Sequence, residues 1–239
     1  MFIMRPQIIP GNIYHILSRG VDKRKLFLDE EDFMRFIHNL FEFNDAQPLP
    51  NNTYLFKTNP SGFASPNIER QQKQRRPRIL LAEMLTFCLM KNHYHLLVRA
   101  RSKEWLTLFM RRLNMGYANY FNLKYKRAGA LFEGRYKCIA VDNDAHFIHL
   151  PFYIHCNPLD YFAPNWRERD VKDYKKAFAY LENYRWSSFP DYIGKKNFPS
   201  VTQRDLLLKF FDGPEQYKKS MTSWLKEMDS RDISQITLE

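Results

Sequence analysis

Two apolar stretches parted by two polar residues limit the possible folds of this chain more than any other feature. Ile79 to Met90 is almost continuously apolar, Lys91 and Asn92 interrupt it, and Tyr94 to Val98 is apolar again. Such a pair reads as a β-hairpin of two central strands. Asn12 to Arg19, β-branched and aromatic, predicts an earlier strand that stops at Gly20. Asp29 can cap a helix after it. Glu30, Glu31 and Asp32 suit the positive helix end, and Phe33, Phe36, Ile37, Leu40 and Phe41 form a stripe fit to pack on a sheet.

Beyond the hairpin, Leu106, Phe109, Met110, Leu113, Tyr117, Tyr120 and Phe121 mark one face of a long helix from Ser102 to Lys126, halted near Gly129. Arg135 to Val141 predicts a further strand. Asp142 or Asn143 can cap the next helix, which Pro151 kinks or restarts and which stops at Asn157 because Pro158 disfavours helical geometry before it. Thr202 with Asp205 resembles a capping box for a short helix closed by Gly213. Tyr217, Met221, Trp224, Leu225 and Met228 then keep helical spacing, and the tail from Asp229 is expected to fray. Between Asn44 and Arg78, five prolines, five asparagines and the run from Gln71 to Arg78 suggest a mobile insertion or a basic nucleic-acid arm. The expected organisation is one domain over 1–160, with the insertion at 44–78, and a helical extension over 161–239.

A hydrophobic share of 44% over 239 residues supports a real core, and 26% charged residues exclude wholesale disorder or a coiled-coil rod. Cys88, Cys138 and Cys156 lack paired metal or redox spacing, so reduced thiols are expected. No apolar run approaches the roughly 20 residues needed to span a bilayer. A soluble, cytoplasmic protein without a membrane partner is the expectation. The net charge of +11 points to a polyanion, nucleic acid first. Between Arg99 and Lys137 stand ten Lys or Arg against two Glu, so this segment holds most of the excess. Arg111, Arg112, Lys124, Arg127, Arg135 and Lys137 could track a nucleic-acid backbone, with Tyr125, Phe132 and Tyr136 stacking on bases; a solvated basic face without a partner is the plainer alternative.

His93-Tyr94-His95 places two imidazoles on one side of a strand and Tyr94 on the other, because side chains alternate. Two such rings can hold one metal ion, or can simply share a polar sheet face. Tyr153 and Asn157 stand four residues apart on one helix face. The Asn157 carboxamide oxygen could be a third ligand, and a phenol beside a metal and a phosphate could attack it. A tyrosine half buried at a helix end is the bland reading. His155 and Cys156 point elsewhere on the helix, and burial accounts for them better than a zinc site.

Taken jointly, Met90-Lys91-Asn92-His93-Tyr94-His95-Leu96-Leu97-Val98, Tyr120-Phe121-Asn122, Gly129-Ala130-Leu131-Phe132-Glu133-Gly134-Arg135-Tyr136-Lys137 and Tyr153-Ile154-His155-Cys156-Asn157-Pro158 resemble the single-tyrosine HUH transposases, and within them the REP-associated tyrosine transposases of bacteria. Tyr14-His15-Ile16-Leu17-Ser18-Arg19-Gly20 and Tyr184-Arg185-Trp186-Ser187-Ser188-Phe189 extend the likeness. The resemblance implies an α+β fold with a ferredoxin-like antiparallel sheet, helices packed on it and a small helical C-terminal extension. It makes His93 and His95 ligands of a divalent metal ion, Mg2+ or Mn2+, Tyr153 the nucleophile, and Asn157 the occupant of a third-ligand position where several relatives carry glutamine. Arg19 joins the nucleic-acid-binding set. The implied substrate is single-stranded or hairpin DNA, cut and rejoined through a 5′-phosphotyrosine by a monomer or homodimer in a bacterial, nucleoid-associated setting. A catalytically inactive hairpin-binding regulator and a hydrolase using water are the competing expectations.

Overall fold

The computed structural model describes residues 6–47, 56–58, 64–66 and 77–227. Along the chain run β1 (Ile13–Arg19), α1 (Glu30–Glu42), β2 (Phe56–Thr58), β3 (Ala64–Pro66), β4 (Ala82–Met90), β5 (His93–Ala100), α2 (Lys103–Lys124), β6 (Lys137–Val141), α3 (Asp144–Cys156), α4 (Tyr174–Asn183), α5 (Phe189–Tyr192), α6 (Asp205–Phe210) and α7 (Gly213–Glu227). The main sheet has the order β4-β5-β1-β6, every pair antiparallel. With α1 and α2 as the two crossovers, that is the expected ferredoxin-like sheet.

Strand alternation divides the interior into two cores. Tyr14, Ile16, Tyr94, Leu96 and Val98 face the apolar stripes of α1 and α2. Leu97, Cys88 and Met90 face α3 and a second core that includes residues from α4 to α7. The C-terminal helices and α3 therefore share one apolar interior. A bulge in β4 between Met84 and Thr86 shifts the register, so that Leu85 joins the second core while Met84 and Phe87 stay in the first.

Local signals explain the element ends. Asp29 caps α1 with a reciprocal capping box to Asp32, and Ser102 and Asn143 cap α2 and α3. Pro151 sits inside α3, which runs on as one helix to Cys156. The Thr202 capping box does not form: Arg204 occupies the cap position of α6, and Thr202 Oγ1 accepts from the Arg204 guanidinium instead. Gly213 opens α7 with a left-handed φ of 92° rather than closing the preceding helix.

β4 is an edge strand, not the central one its apolarity predicts. Its outer side is covered by the chain after α4: Leu89 N donates to Trp186 O, Ser188 N to Phe87 O, and Gln203 N to Met84 O. The Tyr184 and Tyr192 hydroxyls bond Leu89 O and Leu85 O. A covered edge takes the apolar composition of a central strand. In the insertion, Asn44 exchanges two hydrogen bonds with the Ala82 backbone, and Arg78 lies over the Phe41 ring. β2 and β3 pair antiparallel. The run from Gln71 to Arg76, Met228 and the tail from Asp229 lie outside the described residues.

Candidate active site

His93 and His95 point to the α3 side of β5, as their alternation requires, while Tyr94 is buried in the first core and bonds Asn114. Their ring centroids stand 4.9 Å apart, near perpendicular. The Nδ1 of each ring is engaged: His93 Nδ1 lies 2.7 Å from Asn92 Oδ1, and His95 Nδ1 lies 2.9 Å from His15 Nε2. The β1–β5 register sets Leu17 opposite His95 and Arg19 opposite His93, so His15, Leu17 and Arg19 share the histidine face.

α3 lies across that face. Nearly all of its second half is buried, and Tyr153 is fully so, with its ring edge-on at 6.0 Å to His95 and 6.4 Å to His15. The helix end is tied down by Asn157, whose Nδ2 donates to Tyr153 O at 2.9 Å while its Oδ1 accepts from Arg167 Nη2 at 3.0 Å. Arg167 continues to an ion pair with Asp160, and its guanidinium lies 5.6 Å from the Tyr153 ring centroid and 4.5 Å from that of Trp166. Two imidazoles and one phenol thus converge, and Asn157 and Arg167 close the side of the phenol. His155 and Cys156 are buried in the second core, where Ser188 and Tyr217 bond the two ring nitrogens of His155.

Among the described residues no group of three or more His, Cys, Asp or Glu is arranged to hold a metal. The donor set still fits a two-imidazole site. Rings whose Nδ1 atoms are both occupied by outer partners present Nε2, the arrangement that metal-bound histidines adopt. Further ligands would come from an amide, water or phosphate. The Asn157 oxygen already accepts the Arg167 bond, and a carbonyl oxygen keeps a second lone pair.

The basic residues separate into two groups. At the histidine end of the sheet, Gly20 N bonds Asn92 O, Val21 N bonds Leu131 O and Glu133 N bonds Arg19 O. Arg19, the 129–135 loop and the Lys91–Asn92 turn are thereby assembled at one place, with Gly129 and Gly134 at φ of 86° and 137° where a side chain would be strained. Arg135 and Lys137 are exposed, and Lys137 pairs with Leu17 on the histidine face. Arg127 is spent partly on Asn122 Oδ1. Arg111 and Arg112 belong to α2, on the opposite side of the sheet; Arg111 is exposed, and Arg112 donates to Asp45 O.

Two expectations are corrected. Lys124 leaves the DNA set, because its ammonium is held by Asp29, Glu31 and Asp32. Phe132 is buried against Tyr94 and offers no face to a base. Tyr125 is half-buried, with its hydroxyl bonded to Asp32 and its ring tilted on Phe121. Tyr136 packs half-buried on the first core. Sequence reasoning missed two site residues. His15 carried a signal, its odd parity on a strand beside an H-x-H; Arg167 carried none.

Residues 75–157 match the family model described as IS200-like transposase. Among solved structures, the chain is similar to a REP-associated tyrosine transposase bound to a REP hairpin, at TM-score 0.51 and 14% identity over 86% of this chain and 93% of that one. At that identity the likeness shows the fold. No protein of curated function matches the sequence. The family match and the shared fold bear out the resemblance to the tyrosine transposases, and no helix among the described residues is long and apolar enough to cross a membrane.

Proposed function

We propose that this chain, whose residues 75–157 carry the IS200-like transposase pattern, is a metal-dependent enzyme that cleaves and rejoins single-stranded or hairpin DNA through Tyr153. The approach of the Tyr153 ring to 6.0 Å from His95 is the observation that carries the reading. Held by His93 and His95, with Asn157 as a third donor, a divalent cation would polarise a phosphate oxygen and align the scissile bond. Imidazole ligands suit Mn2+ at least as well as Mg2+, which prefers oxygen.

The remaining chemistry belongs to the chain. The Tyr153 oxygen gives up its proton and attacks phosphorus, the P–O3′ bond breaks and the departing oxygen takes up a proton to leave as a 3′-hydroxyl. The 5′-phosphotyrosine keeps the bond energy for a later attack by another 3′-hydroxyl, so joining needs no ATP. Arg167 places positive charge beside the ring, the sign a phosphodiester requires. Because Tyr153 is fully buried among the residues of the second core, DNA reaches it only after part of that cover moves. Arg19, Arg135 and Lys137 lead the strand to the histidine end, with Arg127 behind them.

Incubation with hairpin-ended single-stranded DNA and Mn2+ is expected to give a protein–DNA adduct that survives denaturant and is lost with chelator or in Tyr153→Phe. An adduct in Tyr153→Phe removes Tyr153 as nucleophile, and cleavage without an adduct assigns the attack to water. The burial of Tyr153 favours a second reading, a hairpin-binding regulator without catalysis. For that protein, wild type forms no adduct, and His93→Ala leaves both hairpin binding and its biological effect intact.

A further inference from the structure

We infer that His15 is a positioning residue that sets the tautomer of His95 and thereby the affinity of the site for its cation. The inference rests on the metal-site reading of His93 and His95. The two rings are fully buried and nearly parallel, with centroids 5.2 Å apart and planes within 18°, and His15 Nε2 lies 2.9 Å from His95 Nδ1. A hydrogen bond between two neutral imidazoles holds one proton, so one ring donates and the other accepts. A ligand that binds through Nε2 needs its lone pair there, and its proton then sits on Nδ1. His95 accordingly donates to His15, and the proton of His15 moves to its own Nδ1.

The neighbouring histidine shows the same logic with an amide partner. Asn92 Nδ2 donates to Lys23 O, which turns Asn92 Oδ1 toward His93, and a carbonyl oxygen only accepts. His93 therefore carries its proton on Nδ1 and presents the Nε2 lone pair. His15 performs for His95 what Asn92 performs for His93, from a strand whose register places it diagonally across from His95. Its ring also meets that of Tyr153 near perpendicular at 6.4 Å, so the same ring supports the wall against which the phenol packs.

The test uses full-length protein, with Mn2+ titrated by electron paramagnetic resonance and histidine tautomers read by 15N NMR without metal. Wild type is expected to show His95 protonated on Nδ1. His15→Phe, which fills the space but accepts no bond, should lose that single tautomer and bind Mn2+ about 10–100-fold more weakly. His15→Gln, whose side-chain oxygen can stand in for Nε2, should recover the tautomer and most of the affinity, a rescue that a merely space-filling role would not produce. Metal-free hairpin binding should be the same in all three. Wild-type His95 protonated on Nε2, or His15→Phe binding Mn2+ as tightly as wild type, overturns the inference. A wild type that binds no Mn2+ overturns the metal-site reading instead, and the metal-free tautomer still decides the orienting role of His15, in His15→Gln as well should His15→Phe fail to fold.

Discussion

Replacing Lys124 with methionine is expected to lower stability by about 2 kcal/mol, since it strips a charged partner from the fully buried Asp32 carboxylate. Burial pulls the Lys124 ammonium toward a lower pKa, but its bonds to Asp29, Glu31, Asp32 and Tyr120 outweigh that and hold it above the ordinary lysine value. Chemical denaturation checks the stability. Binding anisotropy over a salt series checks the other half: Arg135→Ala should reduce the dependence of log K on log salt by about one phosphate's worth, and Lys124→Met should leave it unchanged. In the sequence the two residues look alike, as basic side chains in one positive segment. Only the tertiary fold brings α1's carboxylates, 92 residues away for Asp32, onto one of them.

At the scale of elements, Gly20 shows why β1 ends where it does. A Cβ there would stand 2.3 Å from the Arg24 carbonyl oxygen, so Gly20→Ala must displace the turn that Gly20 and Leu26 bond to the hairpin end. A loss of about 1–3 kcal/mol is expected, read as a lower thermal midpoint, with weaker Mn2+ binding as the His93 end shifts. The hairpin, the caps of α1 and α3, and the sidedness of His93 and His95 were legible because each depends on neighbours in sequence. The edge position of β4 was not. A strand covered by Trp186, Ser188 and Gln203 has the composition of a central one, and that cover arrives about a hundred residues later.

Across the whole molecule, His155 ties α3 to α5's cap residue Ser188 and to Tyr217 of α7. Burial pushes its pKa down to about 3 from the ordinary 6.5. The unfolded chain therefore binds the extra proton between those values, and the stability that neutral His155 contributes is complete above about pH 6.5 and lost as pH falls toward 3. Between pH 7 and 5 the loss is expected to be about 2 kcal/mol, seen as a drop in urea midpoint that His155→Gln diminishes. The sequence by itself determined the alternation that puts two histidines on one face, the helix that carries Tyr153 and Asn157, and the excess of positive charge, since strand and helix periods and charge are properties of the local chain. The tertiary structure alone decided that His15 meets His95 across 80 residues, that Arg167 lies over Tyr153, and which cations face the histidines. Those depend on strand order and on how two cores close over opposite faces of one sheet, where the partners of a side chain are chosen by packing rather than by spacing.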